Sequence, residues 1–472
     1  MNEEQTNSDK VNNFKDIKKL STIEIIIFSL PKMGTAAIWS IVIFFSLIFY
    51  VNILGQPPLI IGGIFSISLI VYAFCCIFFG VIADKIGKKK LLIFSGPLLA
   101  ISFIFLWFPP IPPESAHNPG ELYMPLIIWL IIFLFLFRIA SASFFPVLHS
   151  MIPDLSTDEQ NRVKLSMISM IMMNIGGFFG TVGPILVMGD ATKNLSREKV
   201  DIYYSTSEIG RTLYVQINFF ALIIGIVFIL FFITMMLLIK EPYKERNSSE
   251  TLKESFKDLA IPMKDKNYRT LLITIFLFWA PFIVYQYLLI SLTTLVISFR
   301  GDEFMIMVGI SFPLGMLSFI LWNKLTEKVG IKKTLKICLI YSCVSFSLIL
   351  IFLIPMSQEA IFIAGLIIFT LCMVAMIGTM VFPYVLVASC IDDAELKHQA
   401  ENKSLSGLYT GVYSMIGSFS SAVAMLIVAV GLEIFGPEEA IGYILLIAGI
   451  GPMMIIVSLF IFQKVEITDT HQ

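Results

Sequence analysis

Hydrophobic positions run in long blocks nearly free of charge, and polar positions are confined to the stretches between them. Each block is close to the roughly 20 residues a helix needs to cross a hydrocarbon core of about 30 Å. None shows the strict alternation of a membrane barrel strand, and a backbone exposed to lipid must satisfy its hydrogen bonds internally, so the blocks read as helices. They predict spans at 23–50, 59–82, 91–108, 125–150, 165–187 and 217–239, then at 270–299, 304–322, 335–355, 361–388, 405–432 and 441–462. The longest polar interruption, Lys240 to Arg269, falls midway and carries eight Lys or Arg. The expected organisation is an N-tail over 1–22, a six-helix bundle over 23–239, a linker over 240–269, a second six-helix bundle over 270–462 and a C-tail over 463–472.

Composition agrees with a bilayer as solvent: 57% of residues are hydrophobic and 14% charged, more apolar surface than a soluble fold can bury. Charge placement then orients the spans. Of the 33 Lys and Arg, 26 fall in or at the edge of the N-tail, the even-numbered loops, the linker and the C-tail; five fall in the odd-numbered loops and two inside spans. By the positive-inside rule both termini are cytoplasmic, in a multi-pass protein of the cell membrane. The polar first 22 residues are not expected to be a cleaved signal, because the apolar run after them is too long. The net charge of −1 says nothing about partners; a small-molecule substrate and the lipid bilayer are expected, and no nucleic acid.

The two halves echo each other. Ala83-Asp84-Lys85-Ile86-Gly87-Lys88-Lys89-Lys90 follows span 2, and Thr326-Glu327-Lys328-Val329-Gly330-Ile331-Lys332-Lys333 follows span 8. Phe145-Pro146 before Asp154 is matched by Phe382-Pro383 before Asp392. A glycine in the short loop permits the left-handed turn that reverses the chain, and lysines anchor the loop at the headgroups. The acid in each loop is placed to face the positive end of a neighbouring helix and to act as a latch between the halves. Gly80, Asp84, Lys85, Gly87, Lys88, Glu327 and Gly330 are therefore the candidate gating residues. The structural alternative is a tight basic turn that only obeys charge topology.

Charged groups deep in a span cost energy, about 2.5–3.5 kcal/mol for an arginine on insertion scales, and so carry a functional expectation. Arg138 lies near the middle of span 4, and Lys32 follows Pro31 in span 1, with Glu24 the nearest acid. Two cations with almost no anions suggest an anionic or zwitterionic solute, since a guanidinium binds an oxyanion through paired hydrogen bonds. The alternatives are that Arg138 caps carbonyls freed by a helix break and that Lys32 snorkels to the interface. Gln286, Tyr72, Asn174, Tyr384 and Tyr409 join them as candidate substrate-binding residues, with Trp39, Trp279 and Tyr413 as further polar or aromatic candidates. Gly176-Gly177-Phe178-Phe179-Gly180 and Gly183-Pro184 in span 5 read as packing and hinge.

Other chemistry is not indicated. All six cysteines lie in or at the ends of spans, with none in the odd loops, so no disulfide framework is implied, and adjacent Cys75 and Cys76 point about 100° apart on a helix. No phosphate-binding Gly-x-x-x-x-Gly-Lys-(Ser/Thr) loop or His-Glu-x-x-His pair occurs, and His117, His149, His398 and His471 are scattered. No enzyme activity, cofactor or metal is expected.

The run Gly80-Val81-Ile82-Ala83-Asp84-Lys85-Ile86-Gly87-Lys88-Lys89-Lys90 resembles the signature between helices 2 and 3 of the major facilitator superfamily. Within it the chain is similar to the glycoside-pentoside-hexuronide:cation symporters, the melibiose-permease branch. That resemblance rests on Phe49-Tyr50-Val51-Asn52-Ile53-Leu54-Gly55, on Pro146 through Ser156 with Asp158, Glu159 and Arg162, on Trp322 with Gly330 and Lys332-Lys333, and on Pro383-Tyr384, Asp392-Asp393 and Gly407-Leu408-Tyr409. It implies an all-helical membrane protein of two pseudo-symmetric six-helix bundles, a monomer, that carries a sugar or other small organic solute by alternating access, coupled to Na+ or H+ in many members. The branch also holds lysophospholipid carriers. The departures fall at the cation and sugar sites. The helix 2 Asp-Ala-x-x-Asp-Pro pattern of the symporters aligns with Tyr72-Ala73-Phe74-Cys75-Cys76-Ile77, the sugar-site carboxylates with Ala36 and Phe144, and the helix 11 lysine with Ser418. A uniporter, an exchanger, an organic-anion or lysolipid-type carrier, and a non-transporting receptor are the alternatives.

Overall fold

A computed structural model describes residues 20–112, 120–155, 159–192, 202–239, 260–397, 406–437 and 439–465. Among them twelve helices are long and apolar enough to cross a membrane. In the first half they are α1 (Thr22–Ile53), α2 (Pro58–Ile86), α3 (Lys88–Leu106), α4 (Met124–Ser150), α5 (Glu159–Thr192) and α6 (Glu208–Leu238). In the second they are α7 (Lys266–Val296), α8 (Asp302–Val329), α9 (Ile331–Leu353), α10 (Gln358–Lys397), α11 (Ser406–Phe435) and α12 (Ala440–Phe462). Several helices outrun their apolar stretch. α6 begins at Glu208, ahead of the hydrophobic run from 217, because the Ser207 hydroxyl accepts from the amides of Ile209 and Gly210 and so caps a polar first turn.

The halves are built alike. α1 packs on α5 and α6, α2 on α4, and α3 on α4 and α6; in the second half α7 packs on α11 and α12, α8 on α10, and α9 on α10 and α12. The likeness reaches single hydrogen bonds. α1 ends in a π-helical turn, Ile48–Ile53, after which the Leu54 amide donates to Phe49 and that of Gln56 to Tyr50. α7 ends in the π-helical turn Leu292–Val296, after which Ile297 donates to Leu292 and Phe299 to Thr293. The residue between each pair is left-handed: Gly55 at φ 65° and Ser298 at φ 60°. Gly87 at φ 103° and Gly330 at φ 80° are matched in the same way between α2 and α3 and between α8 and α9.

Across the pseudo-twofold, α2 meets α11, α5 meets α8 and α1 meets α7. The named cross-half contacts gather toward the face that carries the loops after α1, α7 and α11, termed the odd-loop face. There Asn52 donates to the Pro437 carbonyl at 3.0 Å, the Leu59 amide to the Glu433 carboxylate at 3.3 Å, and the Ser66 hydroxyl to the Ala422 carbonyl at 2.9 Å. A Cβ at Gly62 would collide with Ala429, so glycine permits α2 and α11 to touch. Within the first half, Gly176 and Gly180 lie against the backbone of Met33 and Ala37, where any side chain would separate α5 from α1.

Candidate functional site

α4 opens after Tyr123 with Pro125 in its first turn and carries Arg138 near its middle, about 20 Å along the axis from Met124. Arg138 is fully buried. Its Nε donates to the Ser68 hydroxyl of α2 at 3.3 Å, and that hydroxyl donates to the Phe65 carbonyl at 2.7 Å. Aromatic rings wall the guanidinium. Its central carbon lies 4.7 Å from the Trp39 ring of α1 and 5.6 Å from the Phe137 ring. Trp39 packs in turn on Tyr72 at 5.3 Å, Phe137 at 6.0 Å and Phe145 at 5.6 Å. Tyr72 and, from α7 in the opposite half, Tyr287 approach within electrostatic reach, and the Tyr287 hydroxyl comes near hydrogen-bonding reach of the guanidinium. Neither Nη1 nor Nη2 has a partner in hydrogen-bond geometry. Arg138 caps no backbone carbonyl, and Tyr287 links it electrostatically to the opposite half.

Lys32, 1% exposed, does not reach an interface: its Nζ has no hydrogen-bond partner and lies 4.9 Å from the Phe28 ring. Glu24 instead closes a capping box, accepting from the Ser21 amide at 2.8 Å. His149, an exposed residue on the last turn of α4, lies within electrostatic reach of Lys32, with its Nδ1 paired with the Phe145 carbonyl at 2.9 Å.

Among the described residues, the remaining candidates make their named contacts elsewhere. Gln286, buried on α7, donates to the Met376 sulfur of α10 at 3.6 Å. Tyr409 packs at 4.5 Å, its ring tilted by 53°, on Tyr268, whose hydroxyl donates to the Tyr409 carbonyl at 2.5 Å, so it ties α11 to α7 within one half. Tyr413 is buried on α11, Trp279 is half-buried on α7 and Asn174 is exposed on α5. The Tyr384 side chain lies outside the described residues. Ser68, Phe137 and Tyr287 escaped sequence reading, and His149 was read only as one of four scattered histidines. Part of the signal was there: Ser68 sits one helical turn from Tyr72, while Arg138, Phe145 and His149 recur at spacings of about two and three turns, on one face of α4.

At the gating loops, Lys88 donates to the Ser150 carbonyl that ends α4 at 2.6 Å, and Lys89 to the Ile239 carbonyl after α6 at 2.8 Å. Lys332, the counterpart of Lys89, donates to the Val465 carbonyl after α12. These lysines cap helix C-termini inside their own half, where partial negative charge and unpaired carbonyls collect. Glu327 is exposed and accepts from Asn323 one turn earlier on α8, at 2.9 Å. Gly80 faces open space. The Asp84 and Lys85 side chains lie outside the described residues.

A family profile described as MFS/sugar transport protein matches residues 27–468. No curated protein matches the sequence. Among solved structures the fold is similar to the nucleoside transporter NupG, at 13% identity and TM-score 0.61 over 94% of this chain and 98% of that one. It is similar also to the xylose transporter XylE from E. coli in an inward open conformation, at 13% identity and TM-score 0.62 over 96% and 97%. A D-xylose-proton symporter aligns at 14% identity and TM-score 0.62 over 95% and 98%. The loop resemblance and the paired bundles thus lead to one assignment: the chain belongs to the MFS/sugar transport protein family, as a multi-pass membrane transporter of a small organic solute and not an enzyme.

Proposed function

We propose that this transporter carries an organic anion, with Arg138 as the group that binds the solute's carboxylate or phosphate. The observation that carries the reading is a fully buried guanidinium between the halves, with neither Nη1 nor Nη2 in hydrogen-bond geometry and a neutral hydroxyl, that of Tyr287, beside it instead of a carboxylate. Two such nitrogens match the paired oxygens of an oxyanion, and a low-dielectric surrounding strengthens the bond. The wall of Trp39, Tyr72 and Phe137 supplies flat apolar faces for a sugar ring or an organic scaffold. Glycoside carriage is the family's prior; the cation without a counter-charge moves it toward acidic members of that class.

Alternating access follows from the two-bundle build, with the site at the junction and the halves rocking about it. The basic loops support both termini being cytoplasmic, in which case the contacts of Asn52, Leu59 and Ser66 close the outer side. Tyr72 and Cys76 stand where a symporter holds its cation with carboxylates. Neither binds Na+ as a hard anionic ligand, so the reading is a uniporter or exchanger. Proteoliposome uptake of glucose and glucuronate, with and without imposed Na+ and pH gradients, tests this. Preference for the acid and indifference to both gradients are expected; Na+-stimulated uptake of the neutral sugar contradicts the reading.

A further inference from the structure

The Ser68 hydroxyl has one proton, and the Phe65 carbonyl takes it at 2.7 Å. What Ser68 turns toward Arg138 is therefore a lone pair, which accepts from Nε at 3.3 Å. The bond to a carbonyl three residues back also fixes the rotamer of the hydroxyl on α2. Ser68 is fully buried, and so is Phe65, whose ring packs on Tyr50 of α1 at 6.3 Å. The acceptor thus stands on a packed helix and not on a loop.

A guanidinium offers an oxyanion two paired edges: the end-on pair Nη1 and Nη2, and a side-on pair made of Nε and one Nη. Ser68 holds the Nε of the second edge. Trp39 at 4.7 Å and Phe137 at 5.6 Å stand where a solute would otherwise approach the central carbon. Neither Nη1 nor Nη2 is in hydrogen-bond geometry, and that edge is left to Tyr287 or to a solute. We propose that Ser68 is a positioning residue: by holding Nε it withdraws the side-on edge and sets the end-on edge of Arg138 as the one that binds the solute's carboxylate. This rests on the reading of Arg138 as the anion-binding group. Ser68, Trp39 and Phe137 all belong to the first half, on α2, α1 and α4, so the guanidinium keeps its orientation relative to that half while the halves rock. The solute then meets the same edge from either side of the membrane.

Two measurements on the full-length protein test this. In proteoliposome counterflow of labelled glucuronate, Ser68→Ala is expected to raise KM roughly tenfold with kcat little changed, the loss of one hydrogen bond to a charged group. Ser68→Thr, which keeps the hydroxyl, stays near the wild type. In nanodiscs, with arginine Nε isotope-labelled for NMR, the Arg138 Nε–H signal is the one that Arg138→Gln removes. Saturating glucuronate is expected to leave that signal in place in the wild type and to move it downfield in Ser68→Ala, where the side-on edge is open. A Ser68→Ala KM equal to that of the wild type, or a wild-type Nε–H signal that glucuronate moves downfield, overturns the proposal. Should Ser68→Ala fail to reach the membrane, the wild-type spectrum decides, together with Ser68→Cys, which nearly keeps the volume, weakens the acceptor and is expected to raise KM. Loss of glucuronate transport in Arg138→Gln beside an unchanged Ser68→Ala overturns the role of Ser68 alone. Glucuronate transport that is absent from the wild type, or undiminished in Arg138→Gln, overturns the Arg138 reading and the role of Ser68 with it.

Discussion

The Trp39 ring lies 4.7 Å from the Arg138 guanidinium carbon and joins α1 to α4 at mid-membrane. This contact replaces part of the hydration an arginine loses on burial and engages the face of the guanidinium and not its N–H groups, which are left to Tyr287 or to a ligand. Trp39→Leu removes the ring while keeping an apolar side chain, and is expected to raise the KM for the anionic solute roughly fivefold to thirtyfold, for a contact of about 1–2 kcal/mol. Trp39→Phe keeps a weaker face and falls between. Equal KM values across the series show that the ring does not hold the guanidinium.

Gly180 and Gly176 bring the α5 backbone against Ala37 and Met33 of α1. A side chain at Gly180 has only backbone to push against, so Gly180→Val forces the helices apart and costs about 1–3 kcal/mol or more. The melting temperature in detergent, followed by fluorescence-detected size exclusion, is expected to fall clearly. Gly80→Ala, at a glycine with open space around it, is the control and leaves it unchanged.

Ser298 holds at φ 60° the position that Gly55 holds at φ 65° in the other half. A left-handed residue with a Cβ costs roughly 1–2 kcal/mol, so Ser298→Gly is expected to stabilise the protein by up to about 1 kcal/mol once the added unfolded-state entropy of glycine is offset. Gly55→Ser shifts stability the opposite way. Thermal unfolding of the two variants side by side measures both signs.

Hydropathy located all twelve spans because the bilayer imposes one length and one composition on every helix, yet it missed the start of α6. Helix extends wherever a cap such as Ser207 supports it, and hydrocarbon does not set that boundary. Internal symmetry was legible in the glycine loops, where backbone geometry demands a residue type. The site was only half legible. Arg138 announced itself by its cost, and Trp39 was one of several aromatic candidates, but Ser68 on α2 and Tyr287 on α7 meet it through tertiary packing that no local pattern encodes. Tyr409 illustrates the converse: a polar aromatic in a span that turned out to brace α11 on Tyr268.

The odd-loop contact of Ser66 with Ala422 brings α2 and α11 together at 2.9 Å. In a cysteine-free background the pair Ser66→Cys with Ala422→Cys is expected to cross-link under mild oxidation and to stop transport, with recovery on reduction. Transport that continues in the cross-linked protein shows that these helices do not part during the cycle.

Counterflow in proteoliposomes with the wild type and Arg138→Gln, using labelled glucuronate and glucose side by side, bears most directly on the claim that Arg138 binds an anionic solute. The wild type is expected to accumulate the acid above the sugar, and Arg138→Gln to lose the acid by at least roughly a hundredfold while remaining in the membrane at normal abundance, the cost of two charge-assisted hydrogen bonds. Undiminished counterflow of the acid by Arg138→Gln, or wild-type exchange of glucose alone, contradicts it.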